Sequence, residues 1–274
     1  MNNLTMEIIE DFLNVRKEKL ISIEMIENKE IRKIVCLNKK FIIKIDDVKR
    51  IEKEFHFFNI YNDKEIYEQM IYYDLKKGYI VYEYIESNEC NNVENWGNII
   101  NVLKENMRLY KKYEKIYDNL LYCNSEDWLI FLKRKIVENL KYYSPNIEEI
   151  RGLKKSFEYL KNCNVDIRIV HGDLGIYNIL ISRNDERIRI IDPYPIAGDA
   201  NYDILTFFCS SVKILNYFGL EYIINFLEGD KQKNLSLFII VLYLRVCIES
   251  KHKIHNIDNY KEKLKELIKM GEGI

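Results

Sequence analysis

The chain has 274 residues, of which 47% are hydrophobic and 31% are charged, and its formal net charge is −1 at pH 7. These fractions are typical of a soluble globular protein, and the length suits one large domain or two lobes. Because acidic and basic residues balance, the composition favours neither a nucleic-acid partner nor an acidic arm.

Cysteine spacing and hydropathy limit the sequence further. The six cysteines lie far apart and include no C-x2-C pair, so neither a zinc site nor a disulfide framework is expected. The longest apolar run, residues 237–244, is too short to span a bilayer and predicts a buried helix. The N-terminus has acidic residues early and no apolar signal segment. We therefore expect a cytoplasmic protein without a membrane partner.

In chain order, apolar periodicity predicts a mixed N-terminal part. An amphipathic helix is expected at residues 5–19, and a second helix at 48–61. Strands are expected at 20–27, 31–37, 41–45, 66–73 and 79–85.

The remaining chain is predicted to be mainly helical. Three helices are expected at 92–116, 126–143 and 147–162. Short apolar runs that predict strands follow at 167–170, 178–181 and 188–191, with a polar turn at 183–187. The last predicted helices cover 204–218, 219–228, 233–249 and 258–270.

Oxygen-bearing side chains are concentrated around the predicted hairpin. Asp173 lies on a loop between short strands, while Asn178 and Asp192 lie at the two ends of the hairpin. Hairpin ends meet, and an amide oxygen beside a carboxylate suits Mg²⁺. Phosphoryl transfer needs such a metal site and a carboxylate that orients and deprotonates the attacking hydroxyl. Each residue alone would be an ordinary turn residue. The ordered set indicates Asp173 as the base, with Asn178 and Asp192 as metal ligands.

The series H-G-D-x4-N, I-D and G-D-x3-D within residues 171–203 resembles the signature of the aminoglycoside phosphotransferase-like kinases, which are related to protein kinases. Unlike protein kinases, the chain has Gly172 in place of arginine and Asp192-Pro193-Tyr194 in place of D-F-G. The resemblance implies that His171 orients the loop and that two later carboxylates, Asp199 and Asp203, brace it.

The same resemblance implies an α+β, two-lobe, protein-kinase-like fold. Its N-lobe, residues 1–86, would hold an antiparallel five-stranded sheet with helices and would bind the nucleotide. Its larger, mainly helical C-lobe, residues 87–274, would carry the catalytic loop, the metal site and the acceptor pocket.

Cofactor-binding residues of the N-lobe can be assigned by similarity. Lys44 stands on an apolar strand, as the lysine of V-A-I-K does, and would hold the α- and β-phosphates while paired to a helix carboxylate. The alternative is a surface lysine on an edge strand. Glu52 and Glu54 both lie on the following helix, and we prefer Glu54 as the partner. Glu83 and Ile85 would contact the purine edge through their backbones.

Two features leave the donor nucleotide open. Tyr82 and Tyr84 are bulky enough to shape the purine slot, so ATP and GTP are both possible donors. Residues 27–30 contain no glycine, which departs from the glycine-rich loop of protein kinases and from the P-loop. No residue is assigned to the phosphate-covering loop.

The expected function is Mg²⁺-dependent transfer of the γ-phosphate of ATP or GTP to a hydroxyl of a small molecule, by a monomer. An aminoglycoside-type antibiotic is the first acceptor, which would make the protein a resistance enzyme. Choline, ethanolamine, a sugar or another metabolite alcohol is the second. A nucleotide-binding pseudokinase with a regulatory role is the alternative from another class.

Two kinds of side chain are candidates for the acceptor pocket. Amines would require carboxylates, and a quaternary ammonium would require an aromatic box such as Trp96 and Trp128. The candidate carboxylates are Glu89, Glu126, Asp127, Glu228, Asp230 and Glu249. Solvated helix faces and core aromatics are the simpler interpretation of both sets.

Overall fold

The computed structural model describes residues 3–26, 31–37, 39–88, 90, 93–124, 126, 128–252 and 257–272. It comprises two compact units. Unit 1 contains Met1–Glu89 together with Ile179–Tyr194, and unit 2 contains Cys90–Asn178 together with Pro195–Ile274. The division expected at residues 86 and 87 is close to the end of the first segment. The predicted hairpin, however, belongs to unit 1. Unit 1 is therefore formed by two separate segments of the chain, and a division at a single point does not describe it.

The elements of the first half are α1 (Asn3–Arg16), β1 (Leu20–Ile26), β2 (Ile31–Cys36), β3 (Lys40–Ile45), α2 (Val48–Ile60), β4 (Met70–Asp74), β5 (Tyr79–Glu83), β6 (Ser87–Asn88), α3 (Val93–Arg108), α4 (Trp128–Asn139) and α5 (Ile147–Asn162). The second half contains β7 (Ile167–Val170), β8 (Ile179–Ser182), β9 (Ile188–Ile190), β10 (Ile196–Asp199), α6 (Asn201–Cys209), α7 (Val212–Phe218), α8 (Leu220–Phe226), α9 (Lys231–His252) and α10 (Ile257–Met270).

The main sheet of unit 1 has five antiparallel strands in the order β1-β2-β3-β5-β4. This confirms the predicted five-stranded sheet and the α+β class. β4 begins at Met70, later than the run that starts at residue 66. The reason is that Ile66 accepts a hydrogen bond from Ile190 of the hairpin, so the first part of that run pairs outside the sheet.

Alternation along the strands divides the side chains between the two faces of this sheet. On one face, Phe41 of β3 and Val81 of β5 belong to a buried apolar cluster with Ile8 and Phe12 of α1. Lys44 and Tyr82 lie on the opposite face, where they contact α2. A polar pair is thus enclosed between the sheet and α2.

Unit 2 is mainly helical and is built around α9. Both faces of this helix are largely buried, which explains why its apolar run shows no polar stripe. α5 begins with a capping box, in which Asn146 and Glu149 each bond the backbone N–H of the other. Among the described helices, none combines the length and the hydropathy that crossing a membrane requires.

Two predicted helices are interrupted, and one strand of unit 2 was not predicted. The helix expected at 92–116 ends at Arg108, because Lys111 and Tyr113 run extended and bond to Ile169 and Ile167 of β7. The helix expected at 204–218 is divided into α6 and α7 by Ser211, which caps α7. β10, which pairs with β7, has the sequence Ile-Ala-Gly-Asp and lacks a strand pattern.

Candidate active site

Lys44 and Glu54 form a buried ion pair in unit 1. Lys44 Nζ donates to Glu54 Oε2 at 2.5 Å, and both side chains are almost fully buried. Ile51, Glu54 and Phe58 share the stripe of α2 that faces the sheet, with helical spacing. Glu52 is not on this stripe. Glu54 is therefore the partner of Lys44, as preferred from the sequence.

The electrostatics of this pair depend on a second carboxylate. Lys44 also donates to Asp192 Oδ1. Burial alone would lower the pKa of Lys44, but the carboxylates of Glu54 and Asp192 outweigh it and raise that pKa. Burial raises the pKa of Glu54, and the lysine opposes this effect. Lys44 is thus held as a buried cation between two carboxylates.

Asp192 follows β9, at the end of the hairpin. Its φ of 55° is left-handed, a conformation that aspartate tolerates better than most residues. Arg50 Nη2 of α2 lies 3.6 Å from Asp192 Oδ1, a contact that the sequence did not indicate. The hairpin itself is present as predicted, with Ile179 opposite Ile190.

Tyr82 completes the cluster in unit 1. Its hydroxyl donates to Glu54 Oε1 at 2.7 Å. The sequence suggested that Tyr82 shapes the purine slot, and a bond to Glu54 was not foreseen. The signal that could have revealed it is strand register, since Ile80 lies opposite Lys44 and Tyr82 shares the face of Ile80.

The two residues assigned to the purine edge, Glu83 and Ile85, lie at the end of β5 and just after it. Tyr84 N donates to Lys40 O at 3.1 Å, and Phe41 lies opposite Glu83. Because backbone groups alternate along an antiparallel strand, those of Glu83 point away from β3, whereas Ile85 lies beyond the end of β5. The phosphate-covering segment, residues 27–30, lies outside the described residues.

In unit 2, Asp173 lies on the loop after β7, and Asp203 fixes that loop. The backbone N–H groups of His171 and Gly172 each donate to Asp203 at 2.8 Å, and the Tyr110 hydroxyl donates to it at 2.6 Å. Burial raises the pKa of Asp203 to about 6, and these three donors oppose that rise. The bracing role expected of Asp203 is confirmed.

Asp199 does not share that role. It accepts hydrogen bonds from Lys233 Nζ at 2.7 Å and from the backbone of Asn201 at 2.9 Å. These contacts connect β10 to α6 and α9, so the expectation that Asp199 braces the loop is corrected. Asp199 is buried and structural.

His171 and Asn178 both form hydrogen bonds with the backbone of the loop that carries Asp173. His171 is fully buried, and its Nδ1 accepts the backbone N–H of Asp173 at 3.3 Å, so it orients the loop as expected. Asn178 Nδ2 donates to the backbone oxygen of Asp173 at 2.7 Å. The amide oxygen of Asn178 therefore points away from that backbone oxygen.

The donor chemistry fits a hard cation. Asn178 carries an amide oxygen and Asp192 a carboxylate, and both are of the kinds that Mg²⁺ takes in proteins, with water and phosphate in the remaining positions. Across the part of the chain that the structure describes, no group of three or more His, Cys, Asp or Glu side chains could hold a metal.

The candidate acceptor residues are mostly engaged elsewhere. Trp96 and Trp128 are only 1% and 3% exposed, so they belong to the core and not to an open aromatic box. The carboxylates that the structure describes have partners within unit 2, namely Lys115 for Glu126, Arg108 for Glu228, Tyr159 for Asp230 and Arg245 for Glu249. Glu89 and Asp127 lie outside the described residues.

Comparison with solved structures identifies the class of fold as that of the small-molecule kinases with a protein-kinase-like architecture. The choline kinase LicA from Streptococcus pneumoniae superposes with a TM-score of 0.64 at 16% identity, covering 96% of this chain and 98% of the other. An ethanolamine kinase from Plasmodium vivax gives 0.64 at 14% identity, with 97% and 89% covered. The GDP complex of aminoglycoside 2'-phosphotransferase-IIIa gives 0.62 at 13%, with 97% and 99% covered.

At these identities the similarity establishes the fold. It confirms the architecture that the H-G-D-x4-N resemblance implied. No protein-family model matches the sequence, and the search among curated proteins gave no match.

Proposed function

We propose that this protein is a Mg²⁺-dependent phosphotransferase that moves the γ-phosphate of ATP or GTP to a hydroxyl of a small molecule. The observation that carries the proposal is the buried cation Lys44, held between Glu54 and Asp192. Burying charged groups is costly, and for stability alone an apolar cluster serves as well. A preformed cation is what the phosphates of a nucleotide require.

Under this proposal each unit has its own role. Unit 1 binds the nucleotide, with Lys44 on the α- and β-phosphates and the backbones of Glu83 and Ile85 on the purine edge. Solved structures of the same fold that contain AMP or GDP support nucleotide binding. A nucleoside triphosphate donor is consistent with a cytoplasmic enzyme.

Unit 2 supplies the base. Asp173 orients the acceptor hydroxyl and accepts its proton, and Asp203 keeps the loop in position through the N–H groups of His171 and Gly172. Asn178 and Asp192 would hold Mg²⁺, which when bound neutralises charge on the phosphates.

The acceptor is proposed as an alcohol that also carries a positively charged nitrogen. Three solved structures of this fold are named for choline, ethanolamine and aminoglycosides, which share that chemistry. An aminoglycoside remains the first acceptor to test, and choline or ethanolamine is the second. The contacts of the described carboxylates and tryptophans favour neither.

The test is release of ADP or GDP with Mg²⁺ across a panel of aminoglycosides, choline, ethanolamine and simple sugars. Release that rises with one of these acceptors supports the kinase and reveals the preferred donor. Nucleotide binding without turnover for any acceptor would instead favour a regulatory pseudokinase. Absence of nucleotide binding would overturn the proposal.

A further inference from the structure

Tyr82 is the first residue in a line of three consecutive hydrogen bonds in unit 1. Its hydroxyl donates to Glu54 Oε1 at 2.7 Å, and the other oxygen of Glu54 accepts from Lys44 Nζ at 2.5 Å. Lys44 in turn donates to Asp192. The side chain of Tyr82 is thus connected to the buried cation through a single intermediate, Glu54.

The ring of Tyr82 is held on two sides. Its backbone lies in β5, which pairs with β3 on one side and with β4 on the other. Its ring packs edge-to-face on Phe58 of α2, with centroids 5.4 Å apart, and only 2% of the residue is exposed. Because both the sheet and α2 fix this ring, the hydroxyl is a rigid donor toward Glu54.

Glu54 needs such a donor to remain a carboxylate. Burial already raises its pKa, and the hydrogen bonds from Lys44 and Tyr82 oppose that rise. Without the hydroxyl, Glu54 Oε1 would be a buried acceptor without its partner, which favours protonation or movement of the side chain. Either change would weaken the hydrogen bond between Glu54 of α2 and Lys44. Lys44 would then be held mainly by Asp192.

We propose that Tyr82 is a positioning residue for nucleotide binding: it fixes Glu54, and Glu54 keeps Lys44 directed at the phosphates. This inference rests on the proposed kinase function. It assigns Tyr82 a role in phosphate binding, distinct from contact with the purine, and no direct contact between Tyr82 and a substrate is required.

The test compares Tyr82→Phe with a matched control, Tyr79→Phe. Tyr79 lies on the same strand and is equally buried, but it faces the cluster with α1, away from Lys44. Loss of a hydrogen bond to a charged group should raise the KM for the nucleotide about tenfold in Tyr82→Phe. The KM for the acceptor should remain that of the wild type. Tyr79→Phe should leave both constants unchanged.

A general folding defect would behave differently, because it lowers kcat through the active fraction and leaves the KM for the nucleotide unchanged. If the wild type turns over and the Tyr82→Phe and Tyr79→Phe variants have equal KM values for the nucleotide, the inference about Tyr82 is overturned and the proposed function is not. A wild type that neither binds nucleotide nor turns over would overturn the proposed function as well.

A double-mutant cycle shows whether Tyr82 acts through Glu54. If it does, adding Tyr82→Phe to Glu54→Gln should change nucleotide affinity no further, and additive losses would contradict the mechanism. Equilibrium nucleotide binding provides this readout independently of turnover.

Discussion

The Tyr110 hydroxyl donates to Asp203 at 2.6 Å, and both side chains are buried. Asp203 also receives the backbone N–H groups of His171 and Gly172. One carboxylate therefore connects the segment after α3 to the loop that carries Asp173. The geometry of the proposed base depends on a group that never needs to touch a substrate.

This carboxylate predicts a pH dependence of stability. Burial raises the pKa of Asp203 to about 6, above its ordinary value of 3.8. Between these values the folded protein holds a proton that the unfolded chain has lost, so the free energy of unfolding falls as pH rises from 3.8 to 6. A shift of this size corresponds to about 3 kcal/mol. Above this window the contribution is constant.

Urea unfolding of the wild type and of Asp203→Asn at several pH values checks this prediction. The stability of the wild type relative to the variant should decrease across the window. Tyr110→Phe removes a donor that lowers the pKa of Asp203, so it should extend the decrease to higher pH. A wild-type-minus-variant difference that stays constant with pH would rule out titration of Asp203 in this range.

The pairing of Lys44 with Glu54 predicts unequal effects at two neighbouring positions of α2. Glu54→Gln removes one partner of a buried pair and should cost about 3–5 kcal/mol of stability and weaken nucleotide binding. Glu52→Gln, off the buried stripe, should change neither. Thermal unfolding and nucleotide titration separate the two variants, and similar behaviour of both would argue against the assignment of Glu54.

Replacing two glycines by alanine is expected to change stability in opposite directions. A Cβ at Gly198 would lie 2.7 Å from the ring of Trp128, which is buried and cannot move aside. Gly198→Ala should therefore lower the free energy of unfolding by about 1–3 kcal/mol.

The control is Gly97 of α3, where a Cβ would meet no described atom within 4 Å. Gly97→Ala should raise stability by roughly 0.5–1 kcal/mol, because alanine restricts the unfolded chain and favours the helix. Chemical denaturation measures both variants, and a neutral Gly198→Ala would contradict the close packing of β10 on Trp128.

Asp173 carries the most specific prediction for catalysis. Asp173→Asn keeps the shape of the side chain but cannot accept a proton, so kcat should fall about 10²–10⁴-fold. Nucleotide affinity should be retained, because the proposed phosphate contacts are made by unit 1. Asp258→Asn on α10, an exposed aspartate, is the control and should behave as wild type. Turnover of Asp173→Asn at the wild-type rate would exclude Asp173 as the base.

Local patterns were sufficient to predict much of this structure. The run Phe41-Ile42-Ile43-Lys44 indicated a strand that carries the lysine, and the position of Glu54 directly before the run of residues 55–58 favoured it over Glu52. The spacing of Asp173, Asn178 and Asp192 indicated the loop and the hairpin. These inferences succeeded because each depends on residues that are close in sequence.

The features that were missed depend on pairing between distant segments. Tyr110 was assigned to a helix, because its neighbours have helical spacing, but pairing of Lys111 and Tyr113 with β7 overrides that preference. The bond between Tyr82 and Glu54 requires the register of β5 against β3, which no local pattern specifies. The acceptor remained open for the same reason, since a pocket is assembled from many segments.

The most direct measurement is transfer of ³²P from γ-labelled ATP or GTP, with Mg²⁺, to the acceptor panel, comparing the wild type with Asp173→Asn. The proposed function predicts label in the acceptor fraction for the wild type, and transfer about 10²–10⁴-fold slower for the variant. Nucleotide should bind to both proteins. Label that reaches an acceptor equally fast with Asp173→Asn would contradict the mechanism. A wild type that binds no nucleotide and labels no acceptor would contradict the function.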